Sequence, residues 1–323
     1  MSSDQAGASI DELLQGAGTV TSAPGWSALP VPAIEAITAA PLPPGATPGA
    51  LPRGVYVHDG VMDSWNFVED SGDLSLNWEL DLVSYQLLVD WDANSPTMLV
   101  SDQFDSQFEV PTGAEATFSR AGMVQGVLEL GSGWTANQCG YDEPTSASAS
   151  GYLGDDDAKL ELSRLALSRS ETAGSDTLTV GFGAGATVGA DSVAVYLDLN
   201  ANGQLIRSAD CVINDFTVQS GSVTTGFSTR VAGEDRSLTF HGDFSNVMVD
   251  SGTLTGVDLD GYLRLNDSLA MAFSGTLNDA NANGVPGDEL QLSFAGNELL
   301  TLEEFLIEQI GFVPLTALRM MLR

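Results

Sequence analysis

Between residues 53 and 297, apolar and polar residues alternate in short runs, and Gly, Asn, Asp or Ser interrupts them about every eight to fifteen residues. The runs include 74–80, 85–89, 125–130, 159–162, 177–180, 193–197, 262–265 and 290–294. A period of two is the mark of strands with one covered and one wet face. The interruptions come too close together to hold crossover helices, so neighbouring strands must be antiparallel. The apolar phase slips between Phe244 and Val247, which predicts a β-bulge and a curved sheet. The expected fold is therefore mostly β: a curved antiparallel sandwich or barrel.

The period changes after Asn297. Residues 299–310 fit a helix with Thr301 at its cap and Glu304 three positions later, ended by Gly311 and followed by Pro314. This makes 298–323 a short C-terminal helical cap. At the other end, eight of the 13 prolines fall between Pro24 and Pro52, spaced by Ala, Gly, Ser and Thr. That composition predicts a semi-extended arm over 1–52, with at most one helical turn around Ile10 and Leu14. Residues 138–157, rich in Ser, Ala and Gly, read as a long loop and a sub-boundary within the β domain at 53–297.

Two segments nearly repeat each other, Asp198-Leu199-Asn200-Ala201-Asn202-Gly203 and Asp279-Ala280-Asn281-Ala282-Asn283-Gly284, with a looser version at Asp90, Asp92 and Asn94. Oxygen-bearing side chains at alternate positions followed by glycine form the opening half of a calcium loop. At 279–289 the expected ligands are Asp279, Asn281, Asn283, the Val285 carbonyl, and Asp288 or Glu289. At 198–203 they are Asp198, Asn200 and Asn202. The longer segment resembles calcium loops of the thrombospondin type-3, dockerin and EF-hand sort, over some eleven residues. It departs from the EF-hand in carrying Leu290 where that loop has Glu, and in lacking flanking helices. The competing reading is a hairpin turn, for which Asn-Gly is also a strong signal.

Composition excludes more than it selects. With 44 acidic against 11 basic residues the net charge is −33, which repels nucleic acid and anionic headgroups. No run approaches the ~18 apolar residues of a membrane-spanning helix. The first residues lack the basic and apolar regions of a signal peptide, so the chain reads as a mature extracytoplasmic form, of the periplasm or cell surface, with any N-terminal anchor outside it. Two cysteines, Cys139 and Cys211, are expected to form a disulfide.

Catalytic arrangements are hard to assemble. The two histidines, His58 and His241, sit in strand-like sequence, and the Gly-x-Ser-x-Gly, P-loop, dinucleotide and HExxH patterns are missing from the sequence. The expectation is a non-enzymatic cell-envelope protein, structural or interacting with other envelope proteins or surface polymers, and stabilised by calcium. One alternative is a carrier of a lipid or other apolar ligand inside a curved sheet, recognisable by an apolar pocket with few charges. A second is a carbohydrate-active enzyme with paired carboxylates.

Overall fold

The computed structural model describes residues 3–22, 50–102, 104, 106–172, 175–250, 253–282, 284–294 and 299–308. Most of the expected Pro-rich arm lies outside these residues, as do Trp26, Asn283, Gly311 and Pro314. The chain opens with helix α1 (Ser3–Thr21). Strands follow as β1 (Gly54–Asp59), β2 (Ser64–Glu69), β3 (Leu74–Leu80), β4 (Val83–Ser95), β5 (Met98–Ser101), β6 (Gln107–Val110) and β7 (Gly113–Arg120). Next come β8 (Met123–Ala136), β9 (Asp142–Gly154), β10 (Ala158–Thr172), β11 (Ser175–Val188), β12 (Asp191–Arg207) and β13 (Ile213–Val231). The series closes with β14 (Glu234–Asp250), β15 (Thr253–Leu265), β16 (Ser268–Leu277), β17 (Glu289–Phe294), β18 (Leu299–Thr301) and helix α2 (Leu302–Glu308).

Sixteen strands form one sheet in the order β18-β17-β16-β15-β14-β13-β12-β11-β10-β9-β8-β7-β4-β3-β1-β2, with β5 and β6 paired separately. All neighbours are antiparallel except β1 and β3. The sheet is open, β2 and β18 being its edges. Register carries one set of apolar side chains across nearly its whole width. Tyr56, Leu76, Leu87 and Phe118 are aligned. The row continues through Leu128, Gly151, Leu162, Ala184, Val195, Phe227, Leu238 and Leu265 on the same face. The opposite face holds Asn77, Glu129, Asp198, Asn200, Thr224, His241, Asp243 and Asp260, as the period of two requires.

Packing concentrates at the two ends of the sheet. Tyr56, Trp65, Leu74, Leu76, Trp78, Val89 and Phe118 form one core, and Phe273, Leu290, Leu292 and Phe294 the other. Between them much of the apolar face stays open: Leu128, Leu160, Leu165, Leu167 and Val195 are each 37–43% exposed. Helix α1 covers part of it, contacting β11 to β14. Leu13, Gly16 and Val20 make its buried stripe, and a Cβ at Gly16 would meet Thr229 Oγ1 at 3.0 Å, so glycine sets the close approach.

Four differences from the sequence reading have physical causes. The single turn expected near Ile10 is a 19-residue helix, held by the sheet against its Leu13 and Val20 side chains. The expected loop over 138–157 contains β9, paired on both sides. Its small residues read as a linker, yet they sit beside large ones: Ala147 faces Leu167, Ala149 faces Leu165, and Gly151 faces Leu128 and Leu162. Residues 198–203 are the middle of β12, neither loop nor turn. Asp90, Asp92 and Asn94 likewise lie in β4. The predicted bulge is present, with register shifts between Ser245 and Met248 and Asn246 at φ 50°. The predicted helix cap is present too: the Glu304 N–H donates to Thr301 Oγ1 at 3.1 Å, and the Thr301 N–H donates to Glu304 Oε2 at 2.8 Å.

Candidate functional site

The row of large apolar side chains is interrupted by small ones, and the interruption makes a cavity. Gly126, Gly151 and Ala184 stand where neighbouring strands place Leu, so the surface dips between β4 and β11. The hollow has a volume of about 460 Å3 and is walled by Leu87, Phe118, Leu128, Leu153, Leu160 and Leu162. Its size falls in the range of small-molecule sites, and an apolar wall with few polar groups is what such a site needs for a hydrocarbon. Glu161 is the one charged residue in the lining, and Lys159 holds it at 2.9 Å. Lys159 also lies over the Tyr152 ring, 5.8 Å from its centre.

One end of this face is closed by charge. Arg169 on β10 and Arg207 on β12 both reach Glu143 on β9, at 2.8 Å and 2.7 Å. Arg207 also donates to Glu171 at 2.6 Å and to the Cys211 carbonyl at 2.8 Å. The Asn137 amide donates to Glu143 Oε1 at 2.8 Å. The Arg207 guanidinium beside Glu143 holds its carboxyl at about 2, well below the usual range, against the opposing effect of burial. Beside this cluster Cys139 and Cys211 are bonded, their Cα atoms 6.1 Å apart. Cys139 lies in the β8–β9 turn and Cys211 in the β12–β13 turn. On a flat sheet β9 and β12 would stand about 14 Å apart, at ~4.8 Å per strand. The two turns are therefore drawn toward one another, a closure that a flat arrangement of these strands would not give.

The two sets of expected calcium ligands stand in different surroundings. Asp198 is ion-paired with Arg164, and Asn202 accepts from the Thr177 hydroxyl at 2.9 Å. With Asn200 they lie along the polar face of β12, which their alternate spacing guarantees once the segment is a strand. The 279–289 segment is a true loop, between β16 and β17. Asp279 Oδ2 accepts the Gly284 N–H at 2.9 Å. Asp288 accepts the Ala280 and Asn281 N–H groups at 3.2 Å and 3.0 Å. Glu289 accepts from Asn278, and Asn281 donates to Glu303 of α2 at 3.0 Å. Val285 is fully buried beneath the loop. Among the described residues no three His, Cys, Asp or Glu side chains converge to hold a metal ion.

Both histidines are built into the sheet. His58 pairs with Asp63 at 3.3 Å and packs on Trp65; His241 meets the Thr224 hydroxyl at 2.8 Å and packs on Tyr262. Sequence reasoning did not find the cavity, although its signal was present: glycine and alanine at apolar-phase positions of β8, β9 and β11. Nor did it find Glu143, whose partners come from strands far apart in the chain.

No family model matches the chain, and no curated protein or solved structure matches it either. No described helix is long and apolar enough to cross a membrane.

Proposed function

We propose that this protein binds an apolar ligand of the acyl-chain class on the apolar face of its curved sheet. The observation that carries the reading is the hollow among Leu87, Phe118, Leu128, Leu153, Leu160 and Leu162. Beyond it, Leu165 and Leu167 are further exposed leucines on the same strand, β10. Burying a hydrocarbon there removes apolar area from water on both partners, worth roughly 25 cal/mol per Å². The Arg169–Glu143–Arg207 cluster ties β9, β10 and β12 together at one end of the sheet, and the disulfide suits an oxidising, extracytoplasmic compartment.

The test is titration with a fluorescent fatty acid. Wild-type protein is expected to bind it saturably, and Leu128→Glu to lose most of that affinity while keeping its melting temperature. Leu128 is 37% exposed, so the change costs little packing but places a charge in the cavity wall. Absence of saturable binding by wild type would refute the reading.

A further inference from the structure

Three neighbouring hairpin tips carry large apolar side chains into solvent. In the β1–β2 turn Val61 is 93% and Met62 72% exposed. In the β3–β4 turn Leu82 is 92% exposed, and at the β7–β8 turn Met123 is 65% and Val124 51% exposed. Topology puts all three at one end of the sheet. Strands β1 and β3 are parallel and both run into their turns there, while β7 is antiparallel to β4 and ends beside the start of β4, next to the β3–β4 turn. The Ala121 N–H donates to the Ser84 carbonyl at 2.8 Å, tying the third turn to the second.

These residues are costly where they stand. Turns favour Gly, Asn and Asp, both for solvation and for positive φ. Leu82 occupies the left-handed region at φ 64°, which a leucine pays for in conformational energy. The first tip is built to hold its shape, Asp59 Oδ1 accepting the Val61 and Met62 N–H groups at 2.9 Å and 3.2 Å. The hollow lies just behind: the Phe118–Gly126 pair in its wall is two rungs from Arg120–Met123 at the third tip.

We infer that Val61, Met62, Leu82, Met123 and Val124 dock the protein on a lipid surface, so that an acyl chain passes from bilayer to hollow without crossing water. Separate spikes on three turns suit a fluid interface, which closes around each one; a protein partner would have to match their relief. The charges nearby are Asp59, Asp63, Asp81 and Arg120, and the chain as a whole is strongly acidic, so the favoured surface is zwitterionic. The acidic turn at Asp155, Asp156 and Asp157 bounds the docking surface on its other side. The inference rests on the acyl-chain reading, and the two are separated by using different variants.

The experiment is flotation with phosphatidylcholine vesicles, using wild type, the triple variant Met62→Asp/Leu82→Asp/Met123→Asp, and Leu128→Glu. Wild type is expected to float, and less so when an anionic phospholipid is added. The triple variant is expected to lose about 100-fold in vesicle affinity while still binding a monomeric fluorescent fatty acid. Leu128→Glu is expected to float but not to bind the fatty acid. Unchanged flotation of the triple variant would overturn the docking inference, as would failure of wild type to float while it binds monomeric ligand. A wild-type dimer that the triple variant dissolves, with flotation unaffected, would make the tips a protein contact and overturn it equally.

Discussion

Glu143 is the residue on which the closed end of the sheet turns. It is 7% exposed and takes hydrogen bonds from two arginines and an amide. Its carboxyl titrates at about 2 in the folded chain against 4.5 ordinarily. A folded value below the unfolded one stabilises the native state at pH above about 4.5, and the contribution fades as pH falls toward 2. The displacement corresponds to about 3 kcal/mol. Glu143→Gln is expected to cost about 3 kcal/mol at neutral pH, because Arg169 and Arg207 then lose their buried counter-charge. Chemical denaturation from pH 7 to pH 2 measures both effects. Wild type should lose stability below pH 4.5 more steeply than the variant; identical profiles would show that the cluster is not coupled to folding.

Elements differ in how openly the sequence declares them. Most strands in 53–297 are legible because Leu, Val and Phe recur at every second position, and α2 because Thr301 and Glu304 form a capping pair. Strand β9 is illegible: its Ser-Ala-Ser-Ala-Ser stretch has the composition of a linker, and only the leucines on β8 and β10 explain why small residues belong there. Strand β12 hides in the same way, since Asn202-Gly203 signals a turn that long-range pairing with β11 and β13 overrides. Helix α1 is likewise a product of tertiary contact. Gly16→Val should push it off Thr229 and lower the melting temperature, by about 1–3 kcal/mol of overpacking. An unchanged melting temperature would mean that α1 adds nothing to the fold.

The loop between β16 and β17 is held by its own carboxylates. Asp279→Ala should cost about 1 kcal/mol through the lost Gly284 bond. The calcium expectation makes a further demand: a higher melting temperature in millimolar calcium than in chelator, abolished by Asp279→Ala. Equal temperatures in both leave the loop a hydrogen-bonded connection.

At the scale of the whole molecule, the periodicity dictates a curved β protein and the register dictates that one face is apolar from Tyr56 to Leu265. What the sequence does not declare is that the sheet stays open, because closure depends on whether β2 and β18 meet. The Cys139–Cys211 bond, between residues 72 apart in sequence, adds about 4 kcal/mol in the chain-entropy model. The cysteines are plain in the sequence; that they join turns on either side of β10 and β11 emerges only from the strand order. A face this apolar, in a chain of net charge −33, is costly to leave in water, and the proposed acyl ligand would lower that cost. The most direct measurement is native mass spectrometry of the protein isolated from its own cells without detergent. The account predicts a bound species of lipid mass, absent from Leu128→Glu isolated in the same way. Recovery of wild-type chain at its bare mass, with the disulfide intact and nothing bound, would contradict it.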